Sequence, residues 1–156
     1  MLMPILTAKG KTKLCLKKYN LDDKKITGTF SNNGWTNNGI MKIVLEQIYT
    51  KTGGKESVLL LDAFSAHCND FIKKEAESKN IKLIYVPVGL THKYQPLDVL
   101  INGILKQKGK RFWREEIVKD PNIKITNSDA VKHFLKAKEE ITSKIIKKSF
   151  DLSCFL

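Results

Sequence analysis

The sequence predicts an α/β fold that begins with strands and ends with helices. Two continuous apolar runs, 57–62 (SVLLLD) and 81–86 (IKLIYV), read as strands, and an amphipathic stretch around Phe71, Ile72 and Ala76 lies between them. Runs apolar on both faces indicate parallel strands covered on both sides, and the intervening segment is long enough for a right-handed crossover. Apolar residues spaced by three and four, upstream at Ile40, Met41, Val44, Leu45 and Ile48 and downstream from Ile101, supply the helices.

In chain order, 1–6 is expected to be a short strand running into a turn at Lys9-Gly10-Lys11, with 13–18 as another extended segment. The helix that buries Ile40 to Ile48 should start after Thr36 as N-cap and stop near Thr52-Gly53-Gly54. After the strand–helix–strand unit and Pro87, the chain passes Gly89 to Tyr94 and enters a helix with Pro96 in its first turn, carrying Ile101, Leu105 and Phe112. A last helical region opens at Ser128-Asp129 and breaks near Thr142-Ser143, with His133 a structural residue inside it.

Composition restricts the function classes. The 156 residues are 42% hydrophobic and contain no apolar run approaching the roughly 18 residues of a membrane span. Three scattered cysteines point to a reducing compartment rather than a disulfide scaffold. No repeat or linker-like tract divides the chain, so 1–156 is read as one domain. The first six residues lack the basic flank of a signal peptide, and Pro4 interrupts their apolar run, so the chain is expected to begin abruptly inside a folded domain.

The 28 Lys plus Arg against 16 Asp plus Glu leave a net charge of +12, which favours polyanionic partners. Six basic and two acidic residues fall between Lys106 and Lys119, and Lys106, Lys108, Lys110, Arg111 and Arg114 form the candidate nucleic-acid contact; a solvated helix face would read the same way. Asp62 ends one predicted strand and Asp98 follows the next, so a crossover would bring both toward one carboxyl edge. Carboxylates from different elements are what hard divalent cations require, although an Asp after a strand also caps turns and an Asp in a first helical turn suits the helix dipole. His67 and His92 are candidates for supporting a metal-bound carboxylate or touching substrate, or are locally hydrogen-bonded loop histidines.

These residues resemble a family. The stretch 59–67 (LLLDAFSAH) is similar to the "LLLDGHSSH" segment of the DDE superfamily endonuclease domain in pogo-like transposases and their domesticated relatives, including centromere protein B and jerky-type proteins. Val86-Pro87, Thr91-His92 and Gln95-Pro96-Leu97-Asp98-Val99 resemble the family's "LPPHTTHLLQPLDVGV", of which Gln95 to Asp98 is the most specific part. Further out, 5–10 resembles "VIFKGK", 31–35 resembles "SESGW" and 141–150 resembles "VTPETIRNSF", so nearly the whole chain is covered.

The resemblance implies an incomplete RNase H-like fold with C-terminal helices. Asp62 and Asp98, with 35 residues between them, stand at the family's second and third catalytic acidic positions. The first catalytic Asp is expected upstream of Met1, as is the first strand, which lies at the centre of the family's sheet; Asp22 and Asp23 do not replace that acid. Lys138 stands where the family commonly has Trp. The implied cofactor is Mg²⁺ or Mn²⁺, the implied partner DNA and the implied location the nucleus, with a missing N-terminal segment or a second copy as further candidate partners. The chain alone is therefore expected to be a truncated DDE endonuclease-like domain, related to enzymes of phosphodiester cleavage and strand transfer but inactive. The alternative is a non-catalytic nuclear DNA-associated or protein-interaction module. A nucleotide-binding βαβ unit is disfavoured because no Gly-rich turn follows a strand and opens a helix.

Overall fold

The computed structural model describes residues 2–22, 25–63 and 69–153. It divides into two compact units, one of Met1–Lys17 with Asp22–Gly89 and the other of Lys18–Leu21 with Leu90–Leu156. The order of elements is that of a mixed α/β chain, with four strands in the first unit and the long helices after them.

In the first unit, β1 (Ile5–Lys9) pairs in parallel with β2 (Thr27–Ser31), Ile5 opposite Thr27 and Lys9 opposite Ser31. The first strand thus starts after Pro4, later than expected; proline has no N–H for a ladder, and its carbonyl accepts from Thr27 N at 2.9 Å. The expected extended segment at 13–18 is instead a 3₁₀ helix, Lys13–Tyr19. A parallel pair needs a crossover rather than a hairpin, and Thr12 O opens the helix by accepting from Cys15 N. Gly10 is required there, because an added Cβ would lie 2.7 Å from Cys15 Cβ.

Helix α1 (Asn38–Thr52) is capped by Asn37, whose side chain accepts from Ile40 N at 3.1 Å, and not by Thr36. It ends at Gly53, in the left-handed region at φ 62°. Strand β3 (Ser57–Asp62), helix α2 (Asp70–Glu77) and strand β4 (Ile81–Val86) follow. The two strands are parallel, Ser57 opposite Ile81 and Asp62 opposite Val86. Asn69 caps α2 by accepting from Ile72 N.

Met41, Leu45 and Ile48 of α1 join Ile72 and Ala76 of α2 and Ile81 of β4 in the core, with Leu59, Leu61 and Leu83 packed against it. Phe71, expected with them, is 49% exposed. The expectation that the apolar strands are buried on both faces also needs correction. Leu59 and Leu61 face the helices, whereas Val58, on the alternate face, is 60% exposed. On that alternate face exposure is confined to the start of the strands, at Val58 and Lys82, whereas Leu60 and Ile84 are half-buried and Val86 is fully buried. Among the described residues the sheets remain two separate pairs, β1–β2 and β3–β4.

The second unit is helical. Helix α3 (Thr91–Tyr94) leads to a π-helical turn at Leu97–Ile101, entered through Pro96, which continues into α4 (Asn102–Lys119). Helix α5 (Asn127–Glu139) opens on a reciprocal capping box between Thr126 and Asp129, just before the predicted start. Helix α6 (Ser143–Leu152) is capped by Thr142, at the predicted break. Ile101, Val131, Ala137 and Ile141 are buried here, along with His133. Among the described residues no helix is long and apolar enough to cross a membrane.

Candidate nucleic-acid interface

Helix α4 has no fully buried residue, although Leu105, Lys108, Phe112 and Glu116 form a half-buried row at helical spacing. Its basic residues separate by helical angle. Lys106, Lys110 and Arg114 recur every four residues and form one exposed row. Among the described residues no ion pair engages them.

Lys108 and Arg111 point elsewhere. Both bond to Glu140 just beyond α5, Arg111 Nη2 donating to Oε1 at 2.6 Å and Lys108 Nζ donating to Oε2. Arg111 Nε also lies 3.4 Å from Glu115. The Lys108 hydrogen bond, followed by that of Arg111, holds the Glu140 carboxyl below its ordinary pKa, so the acid stays charged. The five predicted contact residues therefore divide into three free cations and two that are neutralised internally. Sequence reasoning missed Glu140 because it is 29 residues from Arg111 and no local pattern links them.

Behind this surface, Arg111 lies over the Phe112 ring, 4.6 Å from its centroid. The buried His133 ring places Nε2 2.9 Å from Glu116 Oε1, so its neighbour there is a carboxylate of α4 itself.

The predicted acidic residues are placed as follows. Asp62 closes β3, partly buried, in the first unit. Asp98 is exposed in the π-helical turn of the second unit; its N–H donates to Gln95 O at 2.9 Å, and its Oδ1 accepts from Asn102 Nδ2 at 2.8 Å. His92 is exposed on α3, and His67 lies outside the described residues, as does Asp23. Among the described residues no three of His, Cys, Asp or Glu gather as a metal-binding group. Two-metal phosphoryl chemistry needs several oxygen ligands around both ions. The described donors do not gather the oxygen set that such a site requires.

The strand–helix–strand unit whose first strand ends in Asp62, followed by a Gln-Pro-Leu-Asp turn into a basic helix, defines a recognisable class. The chain belongs to the DDE superfamily endonuclease family, whose model matches residues 1–150. Over 72 residues it is 32% identical to a human protein described as a pogo transposable element with KRAB domain, and 31% identical to the mouse protein of that description. These matches cover 44% of this chain and 12% of each relative's length. They support a transposase origin. No solved structure matches the chain.

Proposed function

We propose that this chain is a single transposase-derived domain that binds DNA through the exposed α4 row and does not cut it. Lys106, Lys110 and Arg114 carry the reading: three unpaired cations on one helix face, in a chain of net charge +12, are positioned to displace counterions from phosphates. Family membership supports DNA as the polyanion, a nuclear site of action, and an RNase H-like ancestry for the strands of the first unit.

In this reading Asp62 and Asp98 stand at two acidic positions of the family's metal-dependent centre. Divalent ions in such centres polarise the phosphoryl group and generate the nucleophile. Two carboxylates would balance only half the charge of a metal pair, which favours binding without cleavage. Contacts through phosphates position a protein without reading sequence, so affinity should vary little between DNA sequences.

The test is fluorescence anisotropy on unrelated labelled duplexes. Binding should weaken steeply between about 50 and 200 mM salt. Salt-independent binding, or unchanged binding after Lys106→Glu, Lys110→Glu and Arg114→Glu are combined, would refute the proposal.

A further inference from the structure

Beside the α4 row the second unit contains a groove of about 980 Å³, near the upper end of the roughly 300–1,000 Å³ range of ligand clefts. Lys18, Lys106 and Lys110 line it together with Trp113, His133 and Phe134, and no acidic residue does. We propose that the groove receives an unpaired stretch of DNA, with bases on Trp113 and Phe134 and phosphates at Lys106 and Lys110. The proposal rests on the reading of α4 as a DNA-facing helix and adds the form of nucleic acid that its groove selects.

Charge identifies the sign of the occupant, and the aromatic rings identify its chemistry. Trp113 is 48% exposed and Phe134 39% exposed, so both offer open ring surface next to the lysines. Trp113 follows Lys110 by three residues and Lys106 by seven, which puts ring and cations on one face of α4. In a duplex the base faces are stacked on one another and a groove-side ring cannot reach them. In a single strand they are open, and aromatic stacking beside a cationic track is the general means of holding it.

Lys106 and Lys110 are about 6 Å apart along the helix axis, and together they provide a short electrostatic track. The polar lining suits base edges: Asn127 lines the groove, and Asn102 retains its carbonyl oxygen as an acceptor while its amide donates to Asp98.

The chain has two tryptophans, so Trp35→Phe leaves Trp113 as the sole indole reporter. In that full-length background a 12-nucleotide oligo-dT should quench Trp113 emission saturably. By anisotropy of labelled DNA, Trp113→Ala and Phe134→Ala should each weaken oligo-dT at least about fivefold, the lower bound for losing one stacked base, while changing duplex affinity less than twofold. Trp113→Phe, which keeps a ring, should retain most of the oligo-dT affinity and guards against a folding defect. Equal losses for oligo-dT and duplex, or no quenching, would overturn the groove assignment while leaving the duplex-binding reading intact. Failure of both DNA forms to bind would overturn both. An oligo-glutamate peptide that saturates the quench and is not displaced by oligo-dT would also overturn the proposal and assign the groove to a protein partner.

Discussion

Arg111 donates through Nη2 to Oε1 of Glu140 at 2.6 Å, and this bond makes it electrostatically unlike Lys110, its neighbour in sequence. Glu140 also takes Lys108, and Glu115 lies beside Arg111, so that face of α4 is largely self-neutralised. Lys110 belongs to the other face, in the row with Lys106 and Arg114. Counting basic residues along the chain overstates the charge presented to a partner; the helical angle decides which of them remain available.

This division predicts an unequal response to mutation. Lys106→Glu with Lys110→Glu should lower duplex affinity at least about tenfold near 0.1 M salt and flatten the salt slope by about 2. Arg111→Gln should cost less than about threefold, and Glu140→Gln, which releases Lys108 and Arg111, should raise affinity. Anisotropy titrations at several salt concentrations measure all four terms. A larger loss from Arg111→Gln than from the Lys106/Lys110 pair would show that the wrong face has been assigned.

Acid should loosen the second unit through two carboxylates. The Thr126 hydroxyl, then the Thr126 backbone N–H and Lys132, hold Asp129 down at about 2 from an ordinary 3.8, and Lys108 and Arg111 lower Glu140. Both groups are more acidic folded than unfolded, so their stabilisation is complete above the unfolded pKa and disappears as pH falls through the folded one. For Asp129 that window runs from about 4 down to about 2. Far-UV circular dichroism from pH 6 to pH 2 should show helix loss in this range. Asp129→Asn should be less stable at pH 6 and should titrate less; an unchanged acid limb would remove the capping box from the explanation.

The uneven burial of the first unit gives a stability contrast. Leu45 is fully buried, and Leu45→Ala should cost about 2–5 kcal/mol in urea unfolding. Val58 is 60% exposed on β3, a strand whose described pairing is with β4 only. Val58→Lys should change stability by less than about 0.5 kcal/mol and should slow aggregation, because a charge on an exposed apolar strand opposes intermolecular pairing. Light scattering at matched concentration checks it, and equal aggregation of both proteins would clear this strand.

Much of this organisation was legible in the residues. The apolar periodicity of Ile40 to Ile48 located α1, Gly53 marked its end, and the two apolar runs gave parallel β3 and β4 in the right order. The LLLD and QPLD segments pointed to the family that the comparison then established over residues 1–150. Other features depend on tertiary contacts. The 3₁₀ helix at Lys13–Tyr19 follows from the parallel β1–β2 pairing, which its own composition does not encode. The exposure of Val58 depends on which face the helices cover, and the loss of Lys108 and Arg111 from the basic row depends on the distant Glu140. Trp113, beside Phe112 in a charged run, carries no helical period of its own, although its spacing of three from Lys110 and seven from Lys106 places it on their face of α4.

The last prediction is that the chain neither nicks nor joins DNA in Mg²⁺ or Mn²⁺. Two carboxylates, Asp62 and Asp98, would supply −2 against the +4 of a metal pair. Among the described residues no third acid, histidine or cysteine completes a group. Ions held by so few ligands would be poorly positioned, and errors near 1 Å in the reacting geometry cost about a hundredfold in rate. Supercoiled plasmid incubated with the purified chain and either metal should remain supercoiled at protein concentrations that saturate DNA binding. Nicking that vanishes in both Asp62→Ala and Asp98→Ala would reverse the conclusion, since two independently required acids would establish a working centre. Nicking that survives both substitutions would instead point to a contaminating nuclease, to be tested by whether the activity separates from the chain during purification.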